Sequence, residues 1–360
     1  MPREDVALLF LRQATACELL DSPLYAALLR RAAEDIREGG PCATAVARYG
    51  EAALDDALPL RLLGAVHALA LTGRAPALAA HYPSAGGAFD PGEPDAAWPA
   101  FREAVAREPE WITSWLSRPP QTNEVGRSNL LLTGLLHAVP AAQRPVRLFE
   151  LGSSAGLNLR VEQFRYEGGG FAWGPPDSPV RLTGAWEGGA PGWLPEAAAR
   201  HPALRIVERR GCDPDPIDPL GAEGALALRA YVWPDQEGRM RRLEGAIQVA
   251  AKVPATVEAA GADEFLGAVE LEPGTVTVVW HSVMRQYVPA ARWAAAEAEL
   301  ARLAAAATPE AGFAHIAFEP RAVRGKPGFW LSVRSGREPE RLLALAHPHG
   351  VPARWPGDGG

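Results

Sequence analysis

The stretch Val146–Leu159 reads Val-Arg-Leu-Phe-Glu-Leu-Gly-Ser-Ser-Ala-Gly-Leu-Asn-Leu, so an apolar run ends in an acid and turns through two glycines. Leu148 and Phe149 suit a strand buried on both faces. Gly152 permits the backbone of a tight turn, and Gly156 lets a ligand or a neighbouring strand come close. A strand, a glycine turn and a helix start are how an α/β protein builds a nucleotide-sized pocket at the carboxyl end of a strand. Glu150, Gly152, Ser154, Gly156 and Asn158 are therefore candidate binding residues. The same residues also suit a plain strand-to-helix turn packed with small side chains.

Further polar residues lie where strands or helices are expected to end. The run Thr275–Trp280 leads into His281-Ser282-Val283. A His at the carboxyl end of a strand faces the ligand crevice of an open α/β sheet and can act as general base near neutral pH. Tyr287 would hold or assist a substrate. The competing reading of His281 is a strand-end His bonded to a backbone carbonyl. In Gln121-Thr-Asn-Glu-Val-Gly-Arg127, the candidates Asn123, Glu124 and Arg127 offer the charge pair that a zwitterion needs; the segment also reads as a helix start capped by Thr122 or Asn123. Trp233, in Tyr231-Val-Trp-Pro-Asp-Gln236, can stack on a ring, while Asp235 suits a cap for a helix from Gly238. The pair His347-Pro-His349 has no Cys or carboxylate close by in sequence, so no metal site is expected.

These side chains need a framework, and the sequence supplies two parts. Residues 1–118 read as helical: Ser22-Pro23 precedes Leu24, Tyr25, Leu28 and Leu29, and Leu60–Ala70 forms an apolar helix stopped by Gly73 and Pro76. A further helix is expected from Phe101 through Trp111 to Trp115. Arg118-Pro119-Pro120 is the clearest break, so the junction is placed there and residues 119–360 form the second part. Strands are expected at Val146–Glu150, Leu204–Glu208, Ala255–Ala259, Thr275–Trp280 and Phe313–Glu319, with helices at Gly156–Phe164, Gly238–Ala251 and Ala290–Ala306 between them. Phe329–Val333 and Leu342–Ala346 lie too close together for a helix and are expected to pair as a hairpin. An insertion at about 166–203, rich in Gly, Pro and Trp, is expected to form a small satellite core, with a hairpin around Val180–Thr183.

Composition narrows the function classes. The 360 residues are 48% hydrophobic and 22% charged, ordinary for a globular protein. The net charge of -7 gives no basic footprint for nucleic acid. Three cysteines, Cys17, Cys42 and Cys212, carry no Cys-x-x-Cys spacing, which fits a reducing cytoplasm. No uninterrupted apolar run reaches the length of a membrane span, so the expected partner is a small molecule, not a membrane.

The loop Glu150-x-Gly152-x-Ser154-x-Gly156 lacks the middle glycine of a dinucleotide fingerprint and the Gly-Lys-Ser/Thr ending of a P-loop. It resembles the first motif of class I methyltransferases that use S-adenosylmethionine, whose fold is a Rossmann-like seven-stranded sheet ending in an antiparallel hairpin. That resemblance implies that Glu150, Gly152, Ser154, Gly156 and Asn158 surround the amino-acid end of S-adenosylmethionine, that Asp213 accepts the ribose hydroxyls, and that Asp263 reaches the adenine amino group. Asp213 also suits a surface turn, and Asp263 a helix N-cap. Asp213 lies much further beyond Gly156 than the usual interval of about 20 residues, which the insertion explains.

Gln121–Arg127, Glu150–Leu159, Arg209-Arg-Gly-Cys-Asp213, Tyr231–Gln236 and His281–Tyr287 together resemble a bacterial family, domain of unknown function 2332, from Phe10 to Trp355. The family is defined by sequence and carries no established reaction. Ser154 at the middle glycine and the long insertion depart from the methyltransferase pattern. The resulting expectation is an N-terminal helical cap over an α/β domain that transfers a methyl group to a small molecule, with His281 or Tyr287 near the acceptor. The alternative is a catalytically inactive module of the same fold that binds the cofactor or a nucleoside.

Overall fold

A computed structural model describes residues 3–49, 57–140 and 144–356. The chain divides into two compact units, one of residues 1–122 with 221–240, the other of residues 123–220 with 241–360. The first is helical, and its abundant prolines have a positional reason. Helices Pro23–Glu38, Pro41–Val46, Leu58–Leu71, Pro76–Ala79, Trp98–Arg107 and Pro109–Leu116 each carry Pro in the first two positions, where the missing N–H has no helical partner to lose. The single helix expected from Phe101 to Trp115 is two, because Pro109 can neither donate to the preceding turn nor leave Glu108 helical. Phe10, Leu28, Leu62, Leu69, Phe101 and Ile112 fill the core.

Residues 221–240, read from the sequence as part of the α/β stretch, belong to this helical unit. Trp233 is buried in its core, its ring 6.1 Å from that of Tyr25. Asp235 does not cap the helix that follows it. Its two oxygens accept from the Ser22 hydroxyl at 2.7 Å and the Leu24 N–H at 3.1 Å, so it caps Pro23–Glu38 from far along the chain.

The second unit is mixed α/β around a large, mostly parallel sheet. Its strands are β1 (Val146–Leu151), β2 (Arg165–Gly168), β3 (Phe171–Trp173), β4 (Arg181–Thr183), β5 (Ile206–Asp213), β6 (Thr256–Ala259), β7 (Val276–Ser282), β8 (Gly312–Val323), β9 (Lys326–Ser335), β10 (Arg341–Ala346) and β11 (Ala353–Arg354). Among the described residues the main sheet has eight strands, ordered β11-β10-β9-β8-β7-β1-β5-β6. From β6 to β8 the strands are parallel, and β9, β10 and β11 continue as an antiparallel meander. The expected pairing of 329–333 with 342–346 is present, but the sheet gains an eighth strand over the seven expected, because the chain after Pro352 folds back onto Leu345 and Ala346.

Helices cover both faces, as a parallel sheet requires. Phe149, Leu151 and Val279 pack with helices Ala262–Gly267 and Ala290–Ala306 on one face. On the other, helix Ser128–Ala138 comes so close that a Cβ at Gly134 would stand 2.6 Å from Ile316. In the insertion, β2 pairs antiparallel with β3 across Gly168-Gly169-Gly170 and parallel with β4. The hairpin is thus β2–β3, and the alternating segment at 180–183 supplies the third strand. Trp173 and Trp186 are buried there. No described helix is long and apolar enough to cross a membrane.

Candidate functional site

Glu150 sits next to the last residue of the central strand, in register with Trp280 of β7 and Gly211 of β5. The Trp280 indole N–H donates to Glu150 Oε1 at 3.0 Å, which puts both side chains on one face of the sheet. The other oxygen, Oε2, is buried and meets no hydrogen-bond partner. Burial pushes the Glu150 carboxyl up to about 8, against the pull of the Trp280 bond, the Arg160 charge, the Asn158 amide and the more distant Arg127. A cation brought to this oxygen would favour the ionised form.

The loop after β1 turns through three left-handed residues, Gly152 (φ 66°), Ser154 (φ 52°) and Gly156 (φ 63°). Ser154 thus holds a left-handed conformation that favours glycine, at a cost of roughly 1–2 kcal/mol. Two bonds keep it there: its N–H donates to Asp213 Oδ2 at 2.9 Å, and its carbonyl accepts from Ile217 N–H at 3.1 Å. Asp213 Oδ1 accepts from Asp215 N–H at 3.0 Å. The aspartate therefore ties the end of β5 to the loop. Ser154 Oγ and Asn158 Oδ1 are buried without hydrogen-bond partners. Gly211 is required by packing, since a Cβ there would lie 1.9 Å from Ser153 Oγ.

The helix expected from Gly156 is instead a 3-10 segment, Leu157–Gln163, broken at Arg160 (φ -111°, ψ 27°). In an α-helix the Gly156 carbonyl would accept the N–H of residue 160; here it accepts the Arg160 guanidinium at 2.6 Å and the Leu159 N–H at 3.2 Å. The loop consequently lacks the aligned dipole of a long helix, and the N–H groups of Ser153, Ser154, Gly156 and Leu157 are engaged within the protein.

Asn123, Glu124 and Arg127 join this loop. Asn123 Oδ1 accepts from Leu157 N–H at 2.7 Å, and the Asn158 amide donates to the Glu124 carbonyl at 3.2 Å. Glu124, not Thr122 or Asn123, is the cap: its Oε1 accepts from Gly126 N–H at 3.0 Å before helix Ser128–Ala138. Arg127 donates to the carbonyls of Pro348 at 2.9 Å and Ser282 at 3.2 Å, fastening the segment to the end of β7.

Four other candidates lie elsewhere. His281 points to the opposite face of the sheet from Glu150, edge-on to Trp293 at 5.1 Å, and is 2% exposed. Its Nδ1 bonds Glu319 Oε1 at 2.8 Å and its Nε2 faces His315 Nε2 at 3.1 Å. Tyr287, on the turn after β7, is 68% exposed. Asp263 is not the cap of its helix, Ala262–Gly267, whose N-cap position is Gly261; its carboxylate is paired with Arg292 at 2.6 Å, which holds its pKa below the usual range. Trp233 belongs to the helical unit.

Sequence reading missed Glu319, His315, Trp280 and Met284. The faint signal was His315 and Glu319 at even spacing on one strand, which places both on the face of His281. Met284 lies so close to the loop that a Cβ on Gly152 would be 2.9 Å from its own Cβ. Just before Met284, Val283 adopts φ 51°, a conformation that a β-branched residue holds at a cost of about 1–3 kcal/mol.

A family model described as "uncharacterized protein conserved in bacteria (DUF2332)" matches residues 7–355, and the chain belongs to that family. No curated protein and no solved structure matches it.

Proposed function

We propose that this member of the uncharacterized bacterial family binds S-adenosylmethionine over the glycine loop of its α/β unit and methylates a small molecule. The observation that carries the reading is Glu150, a buried carboxyl with one oxygen unpartnered at the end of the central strand. Ser154 Oγ and Asn158 Oδ1, also buried and unpartnered, belong to the same loop. Oxygen acceptors of this kind suit a ligand rich in N–H donors and positive charge, and oppose the phosphates of a dinucleotide. Parallel order β6-β5-β1-β7-β8, with the loop at the carboxyl end of β1, agrees with a Rossmann-like binding crest.

When bound, the cofactor supplies an electrophilic methyl group on positively charged sulfur. Glu150 and Asn158 would face the ammonium end, the Ser154 hydroxyl would add an acceptor and Asp213 would accept the ribose hydroxyls, while Gly152 and Gly156 shape the turn, packed against Met284 and Val257. Asp263 can meet the adenine only by sharing its carboxylate with Arg292. Asn123, Glu124 and Arg127 frame the methionine end, and Tyr287 is open to a substrate. Calorimetric titration with S-adenosylmethionine and S-adenosylhomocysteine tests the reading. Saturable binding that Glu150→Gln weakens supports it; no heat and no thermal shift at about millimolar ligand, where even weak sites fill, counts against it.

A second reading, a binding module without turnover, is favoured by the burial of His281 and the engagement of both its ring nitrogens. It predicts binding of the same ligand with no consumption of the methyl donor in the presence of small-molecule extracts.

A further inference from the structure

The turn after β7 carries Met284 against Gly152 and contains a strained valine. Besides its own backbone bonds, several bonds from outside hold its geometry. The Val283 N–H donates to the Phe318 carbonyl at 2.9 Å, and the Ser282 carbonyl accepts from Arg127 at 3.2 Å. One carboxylate oxygen then does the most: Glu319 Oε1 accepts the N–H of Met284 at 3.1 Å, the N–H of Arg285 at 3.4 Å and the ring of His281 at 2.8 Å.

The proton arrangement follows from these partners. An acceptor oxygen obliges His281 Nδ1 to carry hydrogen. The facing Nε2 atoms of His281 and His315 then share a single hydrogen, one ring donating and the other accepting. Burial, reinforced by the neighbouring His281 and Arg334, holds His315 well below its ordinary pKa, which keeps it neutral. The chain of His315, His281 and Glu319 thus ends on the oxygen that grips the turn. Glu319 Oε2 is buried and without a partner, so the carboxylate is aimed by Oε1 alone.

We infer that Glu319, oriented by His281 and His315, is a positioning residue that clamps the Ser282–Arg285 turn onto the glycine loop and so shapes the ligand site on the other face of the sheet. The link to ligand binding rests on the reading of that loop given above; the clamp itself does not. His281 then acts through Glu319 and touches no substrate.

Amide hydrogen exchange on the full chain, with calorimetric titration of S-adenosylhomocysteine, tests the inference on Glu319→Ala and Glu319→Gln. Loss of the acceptor in Glu319→Ala should speed exchange at Met284, Arg285 and the 152–157 loop about tenfold or more, and weaken binding by a similar factor. Glu319→Gln keeps an acceptor oxygen and should restore both to within a few-fold of the parent. A helper role in general stability would change exchange across the whole sheet and would not be rescued by Gln. Unchanged exchange at 284–285 in Glu319→Ala overturns the clamp, and faster exchange with unaltered affinity overturns its role at the site. If the parent protein itself binds no S-adenosylhomocysteine, the cofactor reading fails, and the local exchange pattern alone decides the clamp.

Discussion

Trp280 and Glu150 stand side by side on neighbouring parallel strands, and their 3.0 Å bond satisfies one carboxyl oxygen while the other lies buried and bare. The carboxyl is raised from an ordinary 4.5 to about 8 as a result of its burial. Between these two values the folded protein holds a proton that the unfolded chain has released. Stability of the ligand-free protein should therefore fall as pH rises through that window, by at most about 1.4 kcal/mol per pH unit from this group, and level off above it. Glu150→Gln should flatten that part of the slope and be the more stable form at the alkaline end. Urea unfolding across the window checks this, and an unaltered slope in the Gln variant would contradict it.

The same proton should appear in binding. A cation that pairs with Glu150 must meet the ionised form, so binding below about pH 8 releases a proton. Affinity for S-adenosylmethionine should rise by up to about tenfold per pH unit toward that value, with no such dependence in Glu150→Gln. Titration in two buffers of different ionisation enthalpy measures the released proton directly.

Ser154 and Gly152 should respond in opposite directions to substitution. Ser154→Gly removes left-handed strain of roughly 1–2 kcal/mol, partly offset by the greater freedom of glycine in the unfolded chain. A small gain in Tm is expected. Gly152→Ala adds a side chain at φ 66° and 2.9 Å from Met284 Cβ, and should destabilise the protein by at least about 1 kcal/mol. Thermal melts of the two variants read both signs.

Asp213→Asn is not a conservative change. The carboxylate accepts one backbone N–H on each oxygen, from Ser154 and from Asp215. An amide must turn its NH2 group toward one of these donors. The expected loss is about 1–3 kcal/mol in stability, and ligand affinity should drop with it because the glycine loop loses its tie to β5. Chemical denaturation and titration of the same variant would show whether the two losses travel together.

In the helical unit, Asp235→Ala should cost about 1–2 kcal/mol, since it leaves the Leu24 N–H at the start of Pro23–Glu38 without its acceptor. Asp235→Ser, a shorter cap, should recover only part. Guanidinium unfolding of the full chain gives the comparison.

Glu150, Gly152, Ser154 and Gly156 were legible in sequence because a strand followed by a glycine turn is a local pattern: hydrophobic period, breaker and acid all fall within one short window. So were the strands that flank them and the prolines that open the helices. His281 was legible as a strand-end residue, but which face it points to depends on where β7 sits in the sheet. Register with β1 sends Trp280 toward Glu150 and His281 away from it. Nor could local pattern reveal that Asp235 caps a helix more than two hundred residues earlier, or that the turn after Gly156 would surrender its helical bond to Arg160.

What the sequence determined by itself was therefore the set of elements and the loop on the central strand, since both follow from near-neighbour periodicity and backbone freedom. What only the tertiary structure decided was partnership: Glu150 with Trp280, Asp213 with Ser154, Asn123 with Leu157, and His281 with Glu319. Each of these joins residues that strand order and side-chain alternation bring together from distant parts of the chain. Hydrogen bonding and burial at such contacts depend on three-dimensional neighbours, and it is those neighbours that leave one oxygen of Glu150 buried without a donor.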